Sequence, residues 1–231
     1  MASTLIRRVL TAYQESRWRA AGALEARVSA SGWALRLKWQ HPDRDILVRA
    51  TIGRPHVTYT PATRDGLTAV LEGHSIRLQD ASGNTVASRE DPRRFFPYGR
   101  RAFWWDALDR SYFSAYALWN YLTFPSLLLR DDIQFTDLPN DRIEAIFPPS
   151  LPTHSARQVF HIGADGLLLR HDYTAEVFGK WAYAANRVLA NSSWEGIPYP
   201  THRRVTPIGP GDRPIPHPVL VDIHVRDFRL L

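Results

Sequence analysis

Apolar and polar residues alternate with a period of two along most of the chain, a pattern that predicts half-buried β-strands. Within residues 26–88, short turn signals separate six such runs. The runs are 34–39, 46–52, 56–60, 67–73, 75–80 and 85–88. Because the links between them are too short for parallel crossovers, they predict an antiparallel meander. The same period returns later, and residues 133–231 predict a second meander.

Two segments have the period of a helix instead. Residues 4–22 place apolar side chains on one side after a Ser3/Thr4 cap, and they predict an amphipathic N-terminal helix. Residues 106–122, between the two meanders, predict a second helix that ends before Pro125. Its bulky face includes Leu108, Tyr112, Ala115, Trp119 and Leu122, with Trp105, Tyr116 and Tyr121 at the margins. This face is expected either to pack on a sheet or to line a ligand cavity.

Together these elements predict one domain over residues 1–231, of mainly β (α+β) class. The predicted architecture is an antiparallel, half-open β-barrel of roughly nine to eleven strands, with the two helices filling or covering its concave side. The Pro-rich segment 208–218 is expected to be an exposed connection before the last strand. Exposed edge strands make a homodimer possible.

The stretch THSARQVFHIGADGLLLRHDY, residues 153–173, concentrates polar chemistry around one turn. With Asp165 and Gly166 as the centre of a two-residue hairpin turn, Phe160 lies opposite His171 and Gln158 lies opposite Tyr173. His171 and Tyr173 then share the apolar face of the hairpin, whereas His161, Arg170 and Asp172 lie on the other face. We expect the first pair to face the helix 106–122.

Polar groups on an apolar face need hydrogen-bond partners, and several side chains are candidates for that role. They are His154, Ser155, Gln158, His202, Arg204, Tyr112, Tyr116 and Tyr121. Alternation in the segment THRRVT puts His202 and Arg204 on one side and Arg203 and Val205 on the other, without deciding which side faces inward. A buried structural network and an acid/base site both fit this pattern. A metal site is not predicted, because His161 and His171 point to opposite faces.

Composition narrows the classes of function. The net charge is +6, and only Lys38 and Lys180 are lysines among the 29 basic residues. The arginines are scattered in pairs among acidic residues, so nucleic-acid binding is not expected. No apolar run is long enough to span a membrane, and the N-terminus does not have the pattern of a signal peptide. The absence of cysteine excludes thiolate chemistry and fits a cytoplasmic protein.

Residues 159–205, VFHIGADGLLLRHDYTAEVFGKWAYAANRVLANSSWEGIPYPTHRRV, resemble the second half of the LolA-type lipoprotein-carrier fold. The shared pattern is a strand, an Asp-Gly turn, a strand, a looser strand pair and then G-I-x-x-P, and the likeness covers about the last 75 residues. The resemblance implies an unclosed half-barrel with a hydrophobic concave side. The superfamily also includes the violacein-pathway enzyme VioE, which needs neither a metal nor a cofactor.

Two functional hypotheses follow. The first is a cofactor-independent lyase, isomerase, cyclase or dehydratase acting on a small apolar or aromatic metabolite, with His171 as the base. Its candidate catalytic residues are His171, Tyr173, His154 and Arg204, and its candidate substrate-binding residues are Tyr112, Tyr116, Trp119, Phe160 and His202. The second hypothesis is a non-catalytic carrier or binding protein for a hydrophobic small molecule, which needs no titrating residue.

Overall fold

The computed structural model describes residues 3–231, and these contain thirteen β-strands in a single antiparallel sheet. The first six strands are β1 (Ala23–Ser31), β2 (Asp43–Thr51), β3 (His56–Thr60), β4 (Thr68–Glu72), β5 (Ser75–Gln79) and β6 (Thr85–Arg89). The others are β7 (Gln134–Leu138), β8 (Arg142–Ile146), β9 (Arg157–Ile162), β10 (Leu168–Thr174), β11 (Tyr183–Trp194), β12 (Ile197–Pro207) and β13 (Val221–Leu230).

The sheet consists of two meanders that are joined where the first strand meets the last. Strand β1 pairs with β13, with Leu24 opposite Leu230 and Val28 opposite Val225. From this central pair the N-terminal strands run outward to β6 and the C-terminal strands run outward to β7. The predicted mainly β, antiparallel half-barrel is confirmed, but it has thirteen strands and not the nine to eleven that were expected. Dimerisation through the two edge strands, β6 and β7, stays a prediction.

Residues 23–39 differ from the sequence prediction. Residues 34–39 were expected to form a strand, but α3 (Trp33–Arg36) is a single helical turn, so that prediction is wrong. Ala34 and Leu35 are both buried although they are adjacent, which a helical turn permits and a strand with one solvated face does not. The missed strand β1 lies just before this turn, and its inward residues alternate as a strand requires.

The N-terminal helix is divided in two. Helix α1 (Thr4–Ala12) begins at Ser3, whose hydroxyl accepts a hydrogen bond from the Ile6 amide at 3.1 Å, as the predicted cap requires. Helix α2 (Glu15–Ala20) follows after Gln14, which has a positive φ of 57°. The prediction of one continuous helix over residues 4–22 is therefore wrong, because the left-handed conformation of Gln14 interrupts the helical hydrogen bonds.

Helix α4 (Ala107–Leu122) fills the concave side of the sheet. It packs against β2 to β6, and 14 of its 16 residues are buried. The predicted helix 106–122 is thus confirmed, with Asp106 as its N-cap. None of the helices in residues 3–231 combines the length and apolarity that a membrane crossing needs.

The N-terminus of α4 is held by an ion-pair cluster. Arg89 donates two hydrogen bonds to the Asp106 carboxylate, at 2.9 and 2.7 Å. The fully buried Asp109 accepts hydrogen bonds from Arg89, Arg100 and Arg101 at 2.5, 2.7 and 2.8 Å. Carboxylates at this end also complement the helix dipole. The cluster therefore satisfies charges that the burial of α4 would otherwise leave unpaired.

Acidification tests this cluster. Desolvation raises the pKa of Asp106, but hydrogen bonds from Arg89 and the helix amides outweigh it and lower that pKa to about 2. A lowered folded-state pKa contributes stability that is present above the unfolded pKa of about 4 and lost as the pH falls towards about 2. Urea unfolding should show wild type more stable than Asp106→Asn at neutral pH. The difference should shrink between about pH 4 and 3, and a pH-independent difference would contradict the assignment.

The hairpin between β9 and β10 rests on α1 at Gly166. This residue has a φ of 82°, and a Cβ placed there would lie 2.9 Å from both the Ala12 Cβ and the Arg8 carbonyl oxygen. Gly83, at φ 84°, has the same backbone conformation with nothing within 4 Å of such a Cβ. Substitution of Gly83 by alanine therefore tests backbone strain alone, whereas the same substitution at Gly166 tests backbone strain together with the contact to α1.

We expect Gly83→Ala to destabilise the protein by about 1 kcal/mol, the ordinary cost of a left-handed alanine. Gly166→Ala should cost at least about 1 kcal/mol more, because α1 must also shift. Urea denaturation of both variants measures the difference. Equal losses would show that the turn does not rest on α1.

Candidate functional site

The turn between β9 and β10 is not the predicted two-residue turn. Gly163 donates to the Leu167 carbonyl at 2.8 Å and Gly166 donates to the Gly163 carbonyl at 3.0 Å, which leaves a three-residue loop. The register then shifts once more at a β-bulge between Leu168 and Arg170. The two irregularities cancel, so the predicted pairs further along the hairpin are restored.

His171 lies opposite Phe160 and Tyr173 lies opposite Gln158, as predicted. Both His171 and Tyr173 face α4 and are buried. Asp172 points the other way, where His161 and Arg170 hydrogen-bond to its carboxylate at 2.7 and 2.6 Å. The predicted division of the hairpin into two faces is therefore confirmed.

Tyr121 of α4 is the centre of the buried polar network. Its hydroxyl lies 2.8 Å from His154 Nε2 and 2.5 Å from the Tyr173 hydroxyl. The His154 ring stacks on the Tyr173 ring with centroids 3.9 Å apart, and its Nδ1 lies 3.4 Å from the Tyr116 hydroxyl. The structure thus brings three residues of the predicted site together around Tyr121, namely His154, Tyr116 and Tyr173. The sequence analysis gave Tyr121 only as a possible hydrogen-bond partner.

A second chain of hydrogen bonds anchors His171. Its Nε2 donates to Gln158 Oε1 at 2.6 Å. The Gln158 amide donates in turn to Thr153 Oγ1 at 2.5 Å, and Thr153 donates to Asn120 Oδ1 at 3.0 Å. Asn120 lies on α4, one residue before Tyr121. The hairpin is therefore joined to the helix by side chains at two adjacent positions.

Burial controls the protonation of these groups. Desolvation lowers the pKa of both His154 and His171 well below the ordinary value, so both imidazoles are neutral at pH 7. Desolvation also raises the pKa of Tyr121 to about 12, and it raises the pKa of Tyr173 well above its ordinary value. These groups exchange hydrogen bonds with one another without changing charge near neutral pH.

The placement of His202 and Arg204 in the interior was wrong. His202 Nε2 and Arg204 Nε lie 2.9 and 3.0 Å from Asp222 Oδ1 on the outer face of β12 and β13. His224 joins them, with its ring 4.2 Å from that of His202. The physical reason is strand alternation: Arg203 and Val205 take the inward positions, so their neighbours in sequence must point outward.

This outer cluster is also where metal-ligating groups meet in residues 3–231. Ligand atoms of His202, Asp222 and His224 lie within 4.8 Å of one another. Arg204 already donates to the same carboxylate, so a cation there would lie beside a guanidinium. The cluster is explained as outward-facing polar pairs of adjacent strands.

The predicted substrate-binding aromatics are packed into the core. Trp119 is fully buried, and its indole donates to the Thr51 carbonyl at 3.0 Å. Tyr112 stacks on Phe96, and Phe160 stacks on His171 with centroids 4.4 Å apart. Together with Tyr116 they fill space between α4 and the sheet. The core-packing interpretation of the helix's aromatic face is the one that these contacts support.

Two narrow crevices with mostly apolar linings remain beside α4 and β13. The first crevice, about 40 Å³, is lined by Val28, Ala30, Leu35, Asp43, Phe113, Ser114, Ala117, Leu118, Tyr121, Val221 and Ile223. The second crevice, about 10 Å³, is lined by Trp18, Tyr121, Leu122, Phe124, Tyr199, Pro200, Arg203 and Phe228. Tyr121 lines both crevices.

Comparison with solved structures identifies the architecture. A LolA superfamily protein from Nitrosomonas europaea matches with a TM-score of 0.52 and 11% identity, covering 99% of this chain and 94% of the other. The protein has a LolA-like fold. A DUF1329 family protein from Desulfovibrio piger (TM-score 0.44, 11% identity, 99% and 92% coverage) and LprF from Mycobacterium bovis (0.35, 8%, 98% and 94%) are less similar. No protein-family model and no curated protein matches the sequence.

Two polar residues inside this LolA-like half-barrel were not among the predicted site residues. Arg203 and Asn186 are both buried on the inner face, and Arg203 Nη1 and both amide atoms of Asn186 lack a hydrogen-bond partner among the described residues. The sequence held a signal for Arg203, since Val205 shares its side of β12 and an apolar residue there indicates the inward face. Asn186 carried no comparable signal.

A larger opening lies at the rim of the LolA-like half-barrel, near the N-terminus of α4. It has a volume of about 590 Å³ and is flanked by Trp39 and Trp104, which are 77% and 45% exposed. Its floor holds the buried ion pair of Arg110 with Asp43. Arg44, Arg64 and Asp65 also line it. This rim groove is therefore larger than the two crevices beneath the helix, and more charged side chains line it.

The role of Tyr121 can be tested against Tyr112, another buried tyrosine of α4 with a pKa raised by desolvation to about 12. Tyr121→Phe leaves His154 and Tyr173 short of a partner and should cost about 1 to 3 kcal/mol of unfolding free energy. The Tyr112 hydroxyl has no hydrogen-bond partner in the described part of the chain, so Tyr112→Phe should change stability by less than about 0.5 kcal/mol. Guanidinium unfolding measures both, and equal effects would contradict the central role of Tyr121.

Proposed function

We propose that the protein is a non-catalytic binding or carrier protein for a hydrophobic small molecule. The observation that carries this proposal is the pair of apolar crevices between α4 and β13. They lie on the concave side of the sheet, next to α4. Mostly apolar side chains line the first crevice, so transfer of a ligand from water is favoured by about 25 cal/mol per Å² of apolar surface buried.

A ligand needs more room than either crevice offers at rest. The two crevices become one slot along β13 when the Tyr121 side chain turns away from its position between them. That movement breaks the hydrogen bonds from Tyr121 to His154 and Tyr173, at a cost of about 1 kcal/mol each. Burial of an apolar chain offsets such a cost, since each buried CH₂ contributes about 0.8 kcal/mol.

The acid/base hypothesis has less support from the same geometry. His171 Nε2 is engaged with Gln158, and the hydroxyl of Tyr173 is engaged with Tyr121. Neither group lines one of the crevices. With their pKa values moved away from neutrality, His171 binds a proton weakly and Tyr173 releases one with difficulty. A polar network of this kind supports the hairpin and helix without any reaction.

The test uses the neutral fluorescent probe N-phenyl-1-naphthylamine. Ala30 lies at the edge of the first crevice, and Ala30→Trp should reduce probe affinity by at least about tenfold, equivalent to about 1.4 kcal/mol, because the indole occupies the slot. Ala81→Trp, in an exposed turn, is the matched control and should bind as wild type does. Fluorescence titration gives both affinities.

Three results would count against the proposal. Unchanged affinity in Ala30→Trp would show that the probe binds elsewhere, and a loss in Trp104→Ala would place it in the rim groove. Conversion of a bound metabolite to a new product, detected by mass spectrometry and abolished by His171→Asn, would favour the enzyme.

A further inference from the structure

Arg203 is a buried cation with no anionic partner. Its side chain lies on the inner face of β12 and is 2% exposed. Nη2 donates to the Tyr121 carbonyl at 3.0 Å, and the guanidinium lies 5.4 Å from the centroid of the Tyr121 ring. Nη1 has no partner, and within residues 3–231 no carboxylate forms a salt bridge with Arg203. The other strongly buried arginine, Arg110, is paired with Asp43.

The groups around Arg203 do not supply a negative charge. Tyr13, Tyr121 and Tyr173 are the tyrosines that interact with it electrostatically. Desolvation raises the pKa of all three, so the phenols stay protonated at pH 7. Desolvation also lowers the pKa of Arg203, but a guanidinium remains charged in proteins. An unpaired charge in this position is costly unless an anion joins it.

Asn186 offers a second free donor on the same inner surface. It is fully buried beside the Tyr121 hydroxyl, and within residues 3–231 neither atom of its amide has a hydrogen-bond partner of good geometry. In the pairing of β11 with β12, Asn186 lies opposite Val205, and Val188 lies opposite Arg203. Asn186 and Arg203 are therefore diagonal neighbours on one face, within reach of a common group. Because Arg203 lines the second crevice, that group can belong to a molecule in the slot.

We propose that Arg203 and Asn186 bind the carboxylate of an amphiphilic ligand whose apolar chain lies along β13. This inference rests on the proposed carrier function and adds the chemical class of its ligand. A single carboxylate matches one unpaired guanidinium and has two oxygens for the two free donors. A phosphate, with about −1.5 to −2 charges at pH 7, would leave excess negative charge in the interior.

The experiment compares decanoate with 1-decanol as competitors of N-phenyl-1-naphthylamine at pH 8. The two molecules share one chain length and differ in the head group. Decanoate should bind wild type roughly tenfold to a hundredfold more tightly than decanol, because charge-assisted hydrogen bonds contribute about 1.5 to 3 kcal/mol. Arg203→Gln should remove that preference by lowering the affinity for decanoate to about that for decanol. Asn186→Leu should reduce the preference by a smaller factor.

Arg204→Gln is the matched control, because Arg204 is adjacent in sequence and points to the outer face. It should keep the preference for decanoate. Retained decanol binding in Arg203→Gln shows that the variant is folded and that its slot is intact. Equal affinities of wild type for decanoate and decanol, or a preference that survives in Arg203→Gln, would overturn the carboxylate proposal alone. Failure of the probe and both competitors to bind wild type would overturn the carrier function as well.

Discussion

The rest of the structure depends on the burial of α4 inside the concave side of the sheet. A helix with apolar residues all round would need only shape complementarity, but this one also buries Asp109, Arg110, Asn120 and several tyrosine hydroxyls. A buried charge or hydroxyl that is left without a partner is costly, because its lost contact with water is not replaced. The arginine cluster at the N-terminus provides partners for Asp109, and the His154 network near the C-terminus provides them for the Tyr121 hydroxyl. The helix is thereby fixed at both ends.

The same requirement explains why so many titratable residues of the hairpin face inward without forming an open site. The side chains of His154, His171, Gln158 and Tyr173 connect strands β9 and β10 to α4, and their hydrogen bonds are used within the protein. Arg203 departs from this rule. It donates one hydrogen bond to a carbonyl oxygen and forms no salt bridge with a carboxylate of the described residues, although most polar atoms of the neighbouring network have hydrogen-bond partners. A departure of this kind indicates a binding group better than the mere density of histidines does.

The sequence predicted the class of fold, both meanders and α4 because each is encoded locally, by period-two runs or by a long helical face ending near Pro125. The hairpin face was also predicted, although through two errors that cancel: the turn has one residue more than expected, and the bulge at Leu169 restores the register. The strand 34–39 was predicted wrongly, since a short apolar run has no distinct period. Arg204 was predicted to face the interior, but Arg203 does. This error has another cause, because which side of a strand faces inward depends on how the strand pairs and packs in the tertiary structure.

The position of the crevices follows from the topology of the sheet. Helix α4 packs on the N-terminal strands β2 to β6, while its C-terminal turn is linked by hydrogen bonds to β10 and β12 in the other half. The seam between the halves is the pairing of β1 with β13, the contact in the sheet that joins the most distant parts of the chain. Beside this seam the packing of the helix leaves two small crevices, of about 40 and 10 Å³. Tyr121 lines both of them, and the charge of Arg203 borders the second.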